Sequence, residues 1–206
     1  MVAGQASFRR FGPQMTITAS NGAIINYHAF NIGPLESVRF IQPSSDSRVL
    51  NRITGPDPSV IAGRLDANGI VYIMNPAGVY FRQGALVNVG QIYAGAARLS
   101  DADFLAGRNH FTEVSGAVVN EGTIHAQAAH LVGQVVSNAG TINASGGVVS
   151  MTSGDDVLIG EAGGNIYVRV NDRAQPGTGD TGASGSGRSE EHTSESSSAN
   201  ISYAVF

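Results

Sequence analysis

The sequence predicts an all-β solenoid, a single-stranded parallel β-helix, and three observations carry that prediction. The chain repeats itself: Val119-Asn120-Glu121-Gly122-Thr123-Ile124-His125-Ala126 returns 18 residues later as Ser137-Asn138-Ala139-Gly140-Thr141-Ile142-Asn143-Ala144, and a weaker copy lies at Val87-Asn88-Val89-Gly90-Gln91-Ile92-Tyr93-Ala94. Each copy reads as a turn feeding a short strand, because Asn and Gly tolerate left-handed backbone angles and the Ile and Ala that follow alternate with polar residues. The period is too short for a helical hairpin. As extended chain it traces a perimeter of roughly 60 Å, enough to enclose one layer of side chains.

A repeat of this size cannot bury its apolar face alone, so coils must stack. Neighbouring coils then pair as parallel strands about 4.8 Å apart. The alternation places Ile124 and Ile142 one above the other inside, with Thr123, Thr141, His125 and Asn143 pointing out. His130 is likewise read as outward and solvated.

Composition agrees. The chain has 206 residues, 27 of them Gly, with no Cys, no Trp and no Lys; only 14% are charged, so Asn, Ser, Thr and Gly carry the polar surface. A net charge of −4 leaves no basic footprint for nucleic acid. Absence of Cys rules out a disulfide framework. No apolar run approaches the ~20 residues of a membrane helix. Met1-Val2-Ala3-Gly4-Gln5 does not resemble a signal peptide. The protein is therefore read either as cytosolic or as beginning after its signal.

Residues 1–50 are β-like without repetition and read as a cap plus the first coils, since an uncovered first coil would invite pairing with other chains. Met15-Thr16-Ile17-Thr18 and Val38-Arg39-Phe40-Ile41 alternate, and Asn21-Gly22 is a hairpin signal. Asp57-Pro58-Ser59-Val60-Ile61 can start a single helical turn, with Asp57 as N-cap and Pro58 at the first helical position. Asn68-Gly69 opens the strand Ile70–Met74, and Asn75-Pro76-Ala77-Gly78 is a β-turn leading to Val79-Tyr80-Phe81. Asp101 and Asp103 follow a polar break, where either can accept from nearby amides. After the repeats, residues 148–151, 157–159 and 166–170 are later strands. The domain is placed at 1–173, with coils from 51 onward.

Residues 174–206 read as a separate segment. Residues 175–187 are Gly, Ser, Thr and Asp without an apolar pattern, a flexible linker. Arg188-Ser189-Glu190-Glu191-His192-Thr193-Ser194-Glu195 looks like a translated sequencing adapter. On that reading residues 189–206 are not natural protein and the native chain is longer.

Catalytic constellations are weak. A β-helix polysaccharide lyase, the competing reading, would want carboxylates clustered on neighbouring coils for a cation and a basic residue to abstract a proton. Here the pairs Asp101/Asp103 and Asp155/Asp156 lie far apart in sequence, and are better read as ordering turns. His28, His110, His125 and His130 have no zinc-like spacing. Tyr72, Tyr80 and Phe81 could form a sugar-stacking patch, but alternation places some of them inside.

A series of blocks in order carries a resemblance: Ile25–Ile32; Val38-Arg39-Phe40-Ile41-Gln42-Pro43-Ser44; Leu50-Asn51-Arg52-Ile53-Thr54-Gly55; Pro58–Gly69; Asn75-Pro76-Ala77-Gly78; Gly84–Gly90; and Asp101–Gly107. Over roughly residues 2–170 the chain resembles the two-partner secretion domain of filamentous haemagglutinin-like adhesins and haemolysins. The resemblance implies a right-handed β-helix of the pectin-lyase-like kind with a β-rich N-terminal cap. It also implies a non-enzymatic role without cofactor or metal: a secretion signal at the front of a large exoprotein of a Gram-negative bacterium. Such a domain is read by the periplasmic modules of an outer-membrane β-barrel transporter. The chain crosses unfolded and winds into a β-helix outside, as a monomer, where the downstream region meets a host or neighbouring cell.

Asn51, Arg52, Asn68, Gly69, Asn75, Pro76 and Gly78 are the residues the family motif puts forward for transporter recognition. The chain departs from the family at Ala77, where Asn is usual, at Tyr27, where Trp is usual, and at Gln91 and Arg82, where Gly is common.

Overall fold

The computed structural model describes residues 1–162 and 165–171. The linker and tail expected within 174–206 lie outside the described residues. β1 (Ala6–Phe11) doubles back antiparallel on β2 (Gln14–Ala19). β2 and β3 (Ala23–Tyr27) make the first coil. β4 (Ser37–Ile41), β5 (Arg48–Ile53) and β6 (Ser59–Ile61) make the second. β7 (Arg64–Ala67), β8 (Ile70–Met74) and β9 (Val79–Phe81) make the third. The fourth begins with β10 (Leu86–Asn88) and β11 (Gln91–Gly95). It is interrupted by β12 (Arg98–Leu99), helix α1 (Asp101–Leu105) and β13 (Asn109–Thr112), and β14 (Ala117–Asn120) completes it. β15 (Thr123–Ala126), β16 (Ala128–Val132) and β17 (Val135–Asn138) form the fifth coil. β18 (Thr141–Ala144) and β19 (Val149–Thr152) begin the sixth, and the hairpin β20 (Asp156–Ala162) and β21 (Asn165–Asn171) then leaves the solenoid.

Coils two to five contribute in turn to three parallel sheets, and the first and sixth contribute strands to the first two. The first runs β2-β4-β7-β10-β15-β18, with β1 at its edge; the second runs β3-β5-β8-β11-β16-β19; the third runs β6-β9-β14-β17. Ile124 lies directly beside Ile142, Thr123 beside Thr141 and His125 beside Asn143, the alignment the repeat predicts. Ile124 is fully buried and Ile142 packs on the core from the more open last coil.

Several expectations are corrected. Asn21-Gly22 is a corner between the first and second sheets, and the hairpin turn is Gly12-Pro13. A hairpin signal reports only backbone that reverses easily; here the next strand joins a different sheet, and Asn21 Oδ1 accepts from Arg48 N of the following coil at 3.0 Å. Ser59–Ile61 is not helical. It is β6, paired with β9, because its apolar side chain at Ile61 fits the solenoid interior and its backbone completes a parallel ladder. The weak repeat copy at 87–94 sits one face away from the other two: Val87, not Ile92, stacks on Ile124, while Ile92 stacks on Ala129. The shared pattern is corner chemistry, which recurs at different corners. Coil length also varies, from 18 residues between Ile124 and Ile142 to 27 between Val38 and Leu65, and to 37 between Val87 and Ile124, where the fourth coil is interrupted.

The second sheet is buried on both faces. Val71 and Ile73 point into the solenoid, whereas Tyr72 and Met74 point outward into a second apolar core. That core is roofed by α1 and by an antiparallel sheet β12-β13-β20-β21, so the interruption of the fourth coil and the C-terminal hairpin meet there. Residues 157–159 and 165–171 are thus strands but not coils, and coiling ends at β19. Helix α1 starts at Ser100, whose Oγ accepts from Asp103 N at 3.0 Å and donates to the Asp103 carboxylate at 2.7 Å. Its Phe104 is fully buried against the second core. His130 is the other correction. It is outward-pointing, but the roof covers it and leaves it 2% exposed.

Candidate functional site

The seven motif residues converge on β8. Asn68-Gly69 leads into it, Asn75-Pro76-Ala77-Gly78 leads out of it, and Asn51 and Arg52 on β5 pair with its Ile73 and Met74.

The Asn75 turn is built largely by one side chain. Gly78 N donates to Asn75 O at 2.9 Å, closing the turn, and Ala77 N donates to Asn75 Oδ1 at 3.0 Å. Asn75 Nδ2 reaches one coil back, to Asp57 O at 3.0 Å and Ser59 Oγ at 3.1 Å. Gly78 sits at φ 126°, a conformation that side chains resist, and its O accepts from Ser59 N. Ser115 Oγ donates to Pro76 O at 3.0 Å from the coil ahead. The turn therefore ties three coils together. Ala77 enters these bonds only through its backbone, so the departure from Asn leaves the turn closed. Asn75 is fully buried, while Pro76 and Ala77 are half-buried.

Asn68 is exposed and forms a reciprocal pair with the coil below: Gln42 N donates to its Oδ1 and its Nδ2 donates to Gln42 O, both at 2.8 Å. Gly69 lies so close to Ser47 O that a Cβ would stand 2.6 Å from it. Arg52 points outward. Its Nη2 donates to Leu99 O at 3.0 Å and to the Asp101 carboxylate, pinning the start of α1 to the second sheet.

Asn51 points into the solenoid and is fully buried. Its Nδ2 donates to Tyr72 O at 3.0 Å, but its Oδ1 has no partner among the described residues. A buried, unpaired carbonyl oxygen costs about 1–3 kcal/mol.

Sequence reading missed the outer face of the second sheet. Tyr72, Tyr93 and His130 occupy matched positions on β8, β11 and β16 and stack in a column. Tyr72 Oη donates to Asn109 Oδ1 at 2.8 Å, and His130 Nδ1 lies 2.8 Å from Ser150 Oγ. Burial lowers the His130 pKa to about 4 and raises that of Tyr72. The signal was available: Ile70–Met74 is a continuous apolar run, which marks a strand buried on both faces. A capping pattern, Ser100 followed by Asp103, likewise marked α1.

The two acidic pairs, distant in sequence, meet at His110. Its Nε2 lies 3.0 Å from Asp156 Oδ2 and its Nδ1 3.8 Å from Asp103 Oδ2. Among the described residues no group of His, Cys, Asp and Glu is arranged to hold a metal ion. Tyr72 and Phe81 are buried, so they form no sugar platform with Tyr80.

A family model described as "TPS secretion domain" matches residues 12–201, including part of the segment expected to be foreign. The chain is 36% identical over 188 residues to a heme/hemopexin-binding protein of Haemophilus influenzae, covering 84% of this chain and 21% of that protein. A second heme/hemopexin-binding protein of the same species is 43% identical over 82 residues, covering 39% of this chain and 9% of that one. The crystal structure of the HMW1 secretion domain from Haemophilus influenzae superposes with a TM-score of 0.79 at 30% identity, covering 84% of this chain and 48% of that one. The chain thus spans about a fifth or less of the curated relatives it matches. The family is one of secretion domains and not of enzymes. With the block series, the stacked coils and the capped first coil all in place, this chain belongs to the family of TPS secretion domains, the export-signal domains of two-partner secretion exoproteins.

Proposed function

We propose that this domain addresses a longer exoprotein to a dedicated outer-membrane β-barrel transporter, whose periplasmic modules read Asn51, Arg52, Asn68-Gly69 and the Asn75–Gly78 turn. Reading takes place before the domain folds. The observation that carries this is the burial of Asn51 and Asn75, whose amides are turned away from any partner once the coils close. In the unfolded chain both are accessible, and an extended segment can add to a sheet edge on the transporter. Parallel pairing between distant segments is slow to form, which keeps the chain open until it is met. The domain then crosses the outer membrane and winds, as a monomer, into the solenoid outside. The region downstream carries whatever contact the whole protein makes with a cell surface or target; heme/hemopexin binding is a property of the relatives, of which this chain matches a minor part.

The test is to replace Asn75 and Pro76 separately, measure export by cells carrying the transporter, and measure refolding of the purified domain. Loss of export with refolding intact supports recognition. A parallel fall in both removes the recognition role and leaves the turn as a fold element.

A further inference from the structure

A cleft of about 790 Å³ opens where the second parallel sheet meets the antiparallel roof, within the 300–1,000 Å³ range of small-molecule sites. Its floor is the edge of the Tyr93–His130 stack. Asn109 stands beside it, its amide fixed by the hydroxyls of Tyr72 and Tyr93. Gln91 is half-buried and Gln127 exposed, both at the entry ends of neighbouring strands, and neither side-chain amide has a hydrogen-bond partner among the described residues. Arg108 is on the rim. Tyr167, 47% exposed, forms a wall, its ring lying over Gly160 so closely that a Cβ there would stand 2.4 Å from the phenol.

In a chain with 16 acidic residues, the described lining of this cleft contains no carboxylate. Its one cation, Arg108, is already 2.8 Å from Asp103. The described lining is thus close to electrically neutral. It is rich in planar amide donors and acceptors and has an open aromatic face at one side. Uncharged polyols with a flat apolar face match that chemistry: vicinal hydroxyls pair with amides and the guanidinium fork, and the ring's C–H face lies on Tyr167. A peptide would need an apolar pit for an anchor side chain or a free strand edge, and the cleft presents amides and glycines instead.

We propose that this cleft is a binding site for a short neutral oligosaccharide, held without hydrolysis. Tyr167 is the stacking platform, Gln91 and Gln127 are hydroxyl partners, and Asn109 is the preset acceptor and donor on the floor. No residue of the export motif is among the described lining of this cleft.

The purified chain is applied to an array of neutral and acidic oligosaccharides and to an extended-peptide panel, and the best neutral hit is titrated by calorimetry. Saturable binding to neutral glycans is expected. Tyr167→Ala should weaken it about tenfold and Gln127→Ala about threefold to tenfold, the loss expected for one stacking contact or one hydrogen bond. Gln127 is exposed, so its substitution should leave the melting temperature at the wild-type value, and Tyr167→Phe, which keeps the ring over Gly160, should retain the binding that Tyr167→Ala loses. No binding anywhere on the array, binding indifferent to both substitutions, or preference for acidic glycans or peptides each overturns the assignment.

Discussion

His130 lies against Tyr93 with ring centroids 4.5 Å apart and planes 19° from parallel, and Tyr93 lies against Tyr72 at 4.4 Å and 3°. The distances follow from the register. Matched residues on adjacent parallel strands stand about one strand spacing apart, close to the separation that stacked rings favour. The roof of α1 and the antiparallel sheet then removes the column from water.

That placement makes stability acid-sensitive. The His130 pKa, lowered to about 4 by burial, lies below the unfolded value near 6.5. Neutral imidazole is favoured in the fold, so above pH 6.5 there is no penalty. As pH falls from 6.5 toward 4, the unfolded chain takes up a proton that the folded chain refuses. About 3 kcal/mol is lost across that window. Urea titrations at pH 7 and pH 4.5 check this: His130→Phe, which keeps a stacked ring, should show a smaller drop between the two than the wild type.

The solenoid interior can be graded coil by coil. Ile124→Ala is expected to cost about 2–5 kcal/mol, because Ile124 is enclosed by coils on either side. Ile142→Ala, on the more open last coil, should cost less than half of that. Equal losses in urea melts of the two variants would contradict the stacking.

Gly140 sits at a corner where a Cβ would stand 2.1 Å from Gly122 O. Thr141 N donates to that same oxygen at 2.9 Å, so the corner cannot open without breaking the rung. Gly140→Ala should destabilise by about 1–3 kcal/mol, read as a lowered urea midpoint.

Asn51 gives the opposite sign. Asn51→Val removes the buried Oδ1 that has no partner, at the loss of one bond to Tyr72 O. It should be neutral to stabilising by up to about 1 kcal/mol. A fall larger than that would show that the amide supports the fold.

The coil interior was legible because alternation is a local property: Ile124 and Ile142 announce their own direction. Arg52 was legible as a motif residue, but its partners were not, since Leu99 and Asp101 come from an interruption two coils later. The His110 contact with Asp103 and Asp156 was illegible for the same reason. The acids are far apart in the chain, and only the meeting of α1 with β20 brings them to one imidazole.

By itself, the order of residues determined the parallel β-helix and the inward direction of Ile124 and Ile142, because these rest on period-two alternation and on turn residues within a few positions of each other; the family resemblance rested on the ordered block series from Ile25 to Gly107. Only the tertiary structure decided which outward side chains stay dry. A strand's outer face is polar or apolar according to what packs on it, and the roof over Tyr72, Tyr93 and His130 comes from segments that leave the coil and return.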